Sequence, residues 1–345
     1  MDISYESVLE RKPYLINQLD EIRKSFVGER ILVTGAGGSI GSKIVSFFST
    51  FTDIEVLATD RDENSLHSLS LEILGTALFN NSDYRVIDVR DRVGISNLFN
   101  DFNPTTVIHA AALKHLAILE KQPREAYLTN FIGTKNLLLQ ANEHKVKRFL
   151  NISTDKAASP KSILGKTKHM GEILTAYFRQ QGNPGYTSVR FGNVFNSKGS
   201  VIETFIKQIK SGLPVTLTDV NVERYFMKIE EAAALSIVSL VINSGDIHLL
   251  DMGSPVKLKI IIEKLSKILD SKAVIQIVGL RPGEKLSEDL QALSEIKTNT
   301  KHRKINTLEL CYDLNDKLLV FTEVDDDQKV LSEIDRFFQI LNNEF

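Results

Sequence analysis

From residue 30 onward the chain alternates two hydrophobic rhythms. Short unbroken apolar runs, RILVTG, EVLATD, YRVIDV, TTVIHAAA, RFLNIST and YTSVRFG, are rich in Val and Ile, as strands buried on both faces of a parallel sheet are. Between them apolar residues recur every three or four positions, as in Ile40, Ile44, Val45 and Phe48, and again in Leu66, Leu69 and Ile73; that spacing makes one stripe along a helix. The alternation predicts right-handed βαβ crossovers, and hence an α/β fold with a doubly wound parallel sheet of the Rossmann type. Residues before about 28 read as a helical preamble, with Gly28 turning the chain into the first strand. After about residue 192 the rhythm changes. GSVIETFIKQIKSG and IEEAAALSIVSLVINSG predict helices closed by Gly212 and Gly245, and VKLKIIIEKLSKILD predicts a further amphipathic helix. The expected organisation is a preamble over 1–28, the doubly wound domain over 29–192, and a smaller C-terminal α/β domain over 193–345, some of whose segments return to the first sheet.

Composition narrows the field. A chain of 345 residues suits about two domains, or one large α/β domain with an appendage. The formal net charge of -2 argues against a nucleic-acid binder held by bulk electrostatics. The single cysteine, Cys311, excludes an internal disulfide framework and offers nothing resembling a zinc site, which fits a reducing compartment. The opening MDISYESVLERK lacks the apolar core of a secretory signal, and no run reaches the roughly 18 apolar residues of a membrane helix. A soluble, cytoplasmic protein without membrane, metal or nucleic acid is expected.

The sharpest local signal is TGAGGSIG, in which Gly35, Gly38 and Gly41 follow a strand and open a helix. Glycine allows the tight turn and close approach of a pyrophosphate, whose charge the helix N-terminus favours. Gly35, Gly38, Ser39, Ile40 and Gly41 are therefore the expected seat of a dinucleotide. Asp60, ending the second strand, suits the hydroxyls of an adenosine ribose and favours NAD, whereas Arg61 beside it could pair with the extra phosphate of NADP. The balance leans to NAD. Asp88, followed by Val89, ends the third strand; holding an adenine amine and capping the next helix are equally open to it. Ala110, Ala111 and Ala112 leave room for a nicotinamide at the end of the fourth strand. His109 reads as a satisfied core histidine, while Lys114 and His115 follow the strand end toward the presumed cleft, with a solvated loop as the plain alternative. Ser153, Thr154, Asp155 and Lys156 end the fifth strand, and Lys168 lies one helical turn beyond Leu164 on the helix after Ser159-Pro160.

These segments, with TNFIGTKN, VRFGNVFNSKGSVI, LTDVNVERYFMKIEEA, LDMGSPVK and GLRPGEKL, resemble in order the nucleotide-sugar 4,6-dehydratases of the extended short-chain dehydrogenase/reductase superfamily. More narrowly the chain is similar to the CapD-like polysaccharide-biosynthesis branch, which acts on UDP-N-acetylglucosamine; VLERKP looks like the linker that joins membrane-anchored members to their catalytic domain, and the chain resembles the soluble form. The resemblance implies that Thr154, Asp155 and Lys156 carry the chemistry and that Lys168 binds the nicotinamide ribose. It also implies that Asn130 is the structural Asn of the site, that Lys114 and Asn193, with His115 nearby, hold the sugar nucleotide, and that Arg281 meets its pyrophosphate. Leu164 stands where the superfamily carries a Tyr, so the proton handling cannot be the usual one. The expected reaction withdraws a hydride from carbon 4, eliminates water across carbons 5 and 6, and returns the hydride to carbon 6. In it Lys156, if burial and cationic neighbours lower its pKa, takes the carbon-5 proton, and Asp155, kept protonated by the cleft, protonates the departing hydroxyl. Lys156, Asp155 or a water accepts the carbon-4 hydroxyl proton. A tightly bound, recycled NAD or NADP, a UDP-sugar substrate and a homo-oligomer follow from the same resemblance. The rival readings are a nucleotide-sugar 4-epimerase on this scaffold and a non-catalytic dinucleotide sensor.

Overall fold

The computed structural model describes residues 3–14, 19–76 and 83–342. The six predicted strands form as β1 (Arg30–Thr34), β2 (Glu55–Asp60), β3 (Tyr84–Val86), β4 (Thr106–His109), β5 (Arg148–Ile152) and β6 (Tyr186–Arg190), paired in parallel throughout. Among the described residues the main sheet has nine strands. Its order runs β3-β2-β1-β4-β5-β6, then Ile247–Leu250 parallel to β6, then the antiparallel hairpin strands Ile305–Leu310 and Glu295–Asn299. The order reverses between β1 and β4, and the reversal opens a crevice at the carboxyl ends of the strands, where ligands of such sheets bind.

Side-chain alternation explains the layering. Ile31 and Val33 of β1 enter one apolar core while Leu32 between them enters the other, since successive residues of a strand face opposite sides. The first core also takes Ile44, Val45 and Phe48 from the helix Ser39–Phe48, and the second takes Ile173, Leu174 and Tyr177 from the helix Ile163–Gln180. A third core lies apart. It joins Tyr5 and Val8 of the preamble helix Tyr5–Leu9 to Ile202 and Phe205 of Val201–Lys210 and to Ile261 and Ile262 of Leu258–Ile268. Arg11 fastens this preamble by donating to the carbonyls of Phe226 and Met252 and, at 2.7 Å, to Glu231.

Two expectations need correction. The helix read as ending at Gly245 is Ile229–Ser239. The seven residues after it carry the chain back to the sheet, and Gly245, at φ +76, makes the turn where a Cβ would stand 2.4 Å from that of Thr307. The third strand also stops at Val86, which leaves Asp88 and Val89 free of the ladder and in the crevice. No helix of the described residues is long and apolar enough to cross a membrane, and among them no group of three or more His, Cys, Asp or Glu could hold a metal ion.

Candidate active site at the switch point

The crevice holds a cavity lined by Thr34, Gly35, Gly38, Asp60, Arg61, Asp88, Val89, Ala110, Ala111, Ala112 and Thr129. The turn between β1 and its helix is built for close approach. At Gly35 (φ +66) a Cβ would meet the Ala111 nitrogen at 2.5 Å, and at Gly41 it would meet the Gly35 oxygen at 2.2 Å. Gly38 is the N-cap of Ser39–Phe48 and supplies no side-chain oxygen to it, so the first helical N–H groups face the crevice with their partial positive charge. Asp60 accepts from the Gly37 N–H (3.1 Å) and the Asp62 N–H (3.0 Å), one on each carboxylate oxygen, and each oxygen keeps a lone pair for a hydroxyl. Gly37 belongs to the seat although the spacing of the motif leaves it out: a Cβ there would lie 2.3 Å from that of Ser65. Asp88 does not cap the next helix; Asp91 does, accepting from the Gly94 N–H at 3.0 Å. Asp88 is instead gripped by the Arg90 guanidinium, with contacts of 2.6 to 3.0 Å. Burial pushes the Asp88 carboxyl up, but Arg90 outweighs it and holds it below the usual carboxylate range.

These features fit a nicotinamide dinucleotide. The buried hydroxyl of Thr129, which lines the cavity, has no hydrogen-bond partner among the described residues, as expected of a group reserved for a ligand. Gly35, Gly38, Ser39, Ile40 and Gly41 would hold the pyrophosphate, Asp60 and Arg61 the adenosine ribose, Asp88 and Val89 the adenine, and Ala110, Ala111, Ala112 and Lys168 the nicotinamide half. Lys168 is buried, with its Nζ 3.4 Å from the Asn151 carboxamide oxygen. Burial, countered by Glu172, brings its pKa down to about 8. His109 is a core residue, with Thr34 Oγ1 2.8 Å from Nδ1 and Thr134 Oγ1 2.9 Å from Nε2, and burial drives its pKa far down.

Just past the end of β5, the strand next to β4, Thr154 opens a short 3-10 turn over Asp155–Ala157. Asp155 Oδ1 accepts two hydrogen bonds, from the Thr154 hydroxyl and from Lys156 Nζ, both at 2.9 Å. Its Oδ2 is buried without a partner among the described residues and faces Gly192, where a Cβ would intrude to 2.9 Å. Lys156 lies between two carboxylates, with Glu288 Oε1 at 3.7 Å on its other side. Here the sequence reading fails. Burial does act to lower the Lys156 pKa, but Asp155 and Glu288 outweigh it, and the amine lies above its ordinary value. Leu164, in the position of the missing phenol, is buried in the second core.

The remaining predicted residues divide. Asn130 is wholly buried within a π-helical turn, Tyr127–Ile132. It accepts from the Leu113 N–H at 2.8 Å and donates to the Leu113 carbonyl at 3.0 Å and to Thr167 at 3.3 Å. Its amide is thus engaged internally, and it fixes the segment after β4. Lys114 donates to the Lys198 carbonyl at 2.8 Å, and the His115 ring packs on Gly199. Asn193 sits half-buried on a short strand against Phe226–Met227, and Arg281 is exposed in a turn that Gly283 (φ +74) packs against Ser162.

A family profile described as polysaccharide biosynthesis protein matches residues 31–310. The chain belongs to this family. The probable polysaccharide biosynthesis protein EpsC of Bacillus subtilis is 38% identical over 313 residues, covering 88% of this chain and 52% of EpsC, so the chain spans about half the length of that relative. A UDP-glucose 4-epimerase of Rickettsia rickettsii is 33% identical over 280 residues, 79% of this chain and 80% of that protein. Among solved structures, Pen from Bacillus thuringiensis superposes with a TM-score of 0.72 at 30% identity, covering 81% of this chain and 89% of Pen. The UDP-glucose 4-epimerase of Thermus thermophilus, solved with NAD, superposes with a TM-score of 0.67 at 21% identity, covering 90% of this chain and 99% of that one. The fold of this polysaccharide biosynthesis family member is that of the extended short-chain dehydrogenases.

Three participants escaped the sequence reading. Gly37 was legible in the doubled glycine. Lys198 crosses back over the glycine turn, its N–H donating to Ser39 Oγ at 3.2 Å and its Nζ to the Gly37 carbonyl at 3.4 Å; only its lysine character within SKGS could have hinted at this. Glu288 stands seven residues beyond Arg281 in a loop, and no periodicity marks it.

Proposed function

We propose that the protein is a nucleotide-sugar 4,6-dehydratase that converts UDP-N-acetylglucosamine to the UDP-4-keto-6-deoxy sugar for bacterial surface-glycan synthesis. The observation that carries this reading is the shared acceptor: one buried carboxylate oxygen takes hydrogen bonds from both the Thr154 hydroxyl and the Lys156 amine, just past the end of the strand paired with β4, after which Ala110, Ala111 and Ala112 line the cavity. The chemistry supplied by a bound NAD or NADP is reversible hydride acceptance, taken from carbon 4 and returned at carbon 6 within one turnover. Thr154 holds the carbon-4 oxygen and passes its proton to Asp155, the route its 2.9 Å bond offers. Asp155 delivers that same proton to the carbon-6 hydroxyl, which leaves as water. Lys156, once neutral, takes the carbon-5 proton that the neighbouring ketone has acidified, and later restores it. The proton balance closes with loss of one water, and no phenol is needed where Leu164 stands.

Incubation with UDP-N-acetylglucosamine followed by mass spectrometry tests the reading: a product lighter by one water is expected. With substrate deuterated at carbon 4 the label should arrive at carbon 6; label lost to solvent would defeat the hydride-return scheme. A second reading, a nucleotide-sugar 4-epimerase, is favoured by the resemblance to the Rickettsia rickettsii enzyme. It predicts a product of unchanged mass and gives Asp155 and Lys156 no task at carbons 5 and 6.

A further inference from the structure

We propose that Glu288 is the proton store of the site: it takes the ammonium proton of Lys156 so that the amine can act at carbon 5, and gives it back when the cycle ends. The inference rests on the dehydratase reading. Lys156 cannot serve as a base while it is an ammonium, and Asp155 is engaged with the proton of the carbon-4 hydroxyl, so a second acceptor is required. Glu288 meets the geometric conditions. Its side chain is almost wholly buried, its Oε1 lies 3.7 Å from Lys156 Nζ, and among the described residues Lys156 is its ion-pair partner. The other charges nearby are otherwise engaged: Arg224 with Glu284 and the carbonyls of Glu223 and Leu286, and Lys285 with Asp289. Tyr225 faces Asp155 from the far side and is held above its ordinary value by burial first and by nearby carboxylates.

The step is a proton exchange between neighbours. One N–H bond of Lys156 breaks and one O–H bond of Glu288 forms, turning an ammonium and a carboxylate into a neutral amine and a neutral acid. A substrate that displaces water from the cleft favours the neutral pair, because separated charges lose most on desolvation. The resting carboxyl is already biased that way. Burial raises the Glu288 pKa above the usual carboxylate range; Lys156 pulls it down, Asp155 pushes it up, and Arg224 and Lys285 pull it down.

Glu288 acts through Lys156, so its test must separate proton handling from structure. Glu288→Gln should slow water loss about 10- to 100-fold at pH 7, with activity recovering as pH rises toward the pKa of the lysine, while dinucleotide affinity and melting temperature stay near wild type. The carbon-5 hydrogen should exchange with deuterated solvent more slowly in the same pH-dependent way. Glu288→Asp should restore part of the wild-type profile, and if the Gln variant fails to fold, added formate should rescue Glu288→Ala. A wild-type pH profile in Glu288→Gln, or a loss equal at every pH, overturns the inference. Lys156→Ala keeps the two readings apart: if it still loses water at the wild-type rate, the assignment of the base fails, and with it the need for a store.

Discussion

A single methyl group decides how Asp155 can be used. Gly192 places bare backbone against Asp155 Oδ2, and a Cβ there would sit 2.9 Å from that oxygen and 3.1 Å from the Tyr225 Cβ. Gly192→Ala is therefore expected to turn the carboxylate away from Thr154 and lower kcat at least 10-fold, while dinucleotide binding, measured by fluorescence titration, is kept. Lys168 makes the opposite kind of statement, because burial brings its pKa down to about 8 from 10.5. Between those values the unfolded chain binds more protons than the folded one, so stability rises with pH across the window and the full penalty is present below it. Lys168→Met should raise the stability of the ligand-free chain at pH 7 by on the order of 2 kcal/mol, flatten the rise from pH 8 to 10.5, and weaken the dinucleotide; thermal melts over that range, with and without NAD, check all three. The positions of Thr154 and Lys168 could be read from sequence because one follows the end of β5 directly and the other sits on the helix that comes next. The protonation of Lys156 could not, since it depends on Glu288, which lies 132 residues away by the numbering.

Between elements, the buried Arg190 at the end of β6 is the main fastening. It donates to Glu172 on the helix Ile163–Gln180 at 2.6 and 3.0 Å, and to Glu295 at the start of the C-terminal hairpin at 2.8 and 2.9 Å. Burial raises the Glu172 pKa, but Arg190 and His169 bring the net value down to about 2. A depressed carboxyl stabilises the fold above its unfolded pKa and loses that contribution as pH falls through the folded value, so an acid melt should steepen from about pH 4.5 toward pH 2. Glu295→Ala leaves a buried guanidinium half-paired and should cost about 3 to 5 kcal/mol in a denaturant melt. A second fastening, the strap that carries Lys198 over Gly37, should matter for retention: Lys198→Ala should release bound dinucleotide about 10-fold faster in stopped-flow fluorescence with little change in melting temperature. The strands β1 to β6 and the helices Ser39–Phe48 and Glu63–Leu74 were legible because period and burial agree there. The helix Ile229–Ser239 was misread at its end because apolar residues continue into the segment that returns to the sheet.

At the scale of the whole molecule, the preamble is tied to the backbone that faces Asp155. Arg11 binds the carbonyls of Phe226 and Met252, and Met252 Sδ in turn accepts from the Gly192 N–H. Its third partner, Glu231, is fully buried, so Arg11→Ala should destabilise the chain by about 3 kcal/mol and lower activity besides, which melting and water-loss assays together would show. Nothing in the pattern of residues 1–28 announced this tie, because its partners lie more than 200 positions downstream. The sheet order has a last consequence. The strand that leads into Thr154, Asp155 and Lys156 is, among the described residues, the fifth of nine, flanked by four strands on each side. Its amide hydrogens are shielded from solvent until the whole sheet opens, so the groups proposed to move protons are anchored to the part of the chain slowest to trade its own.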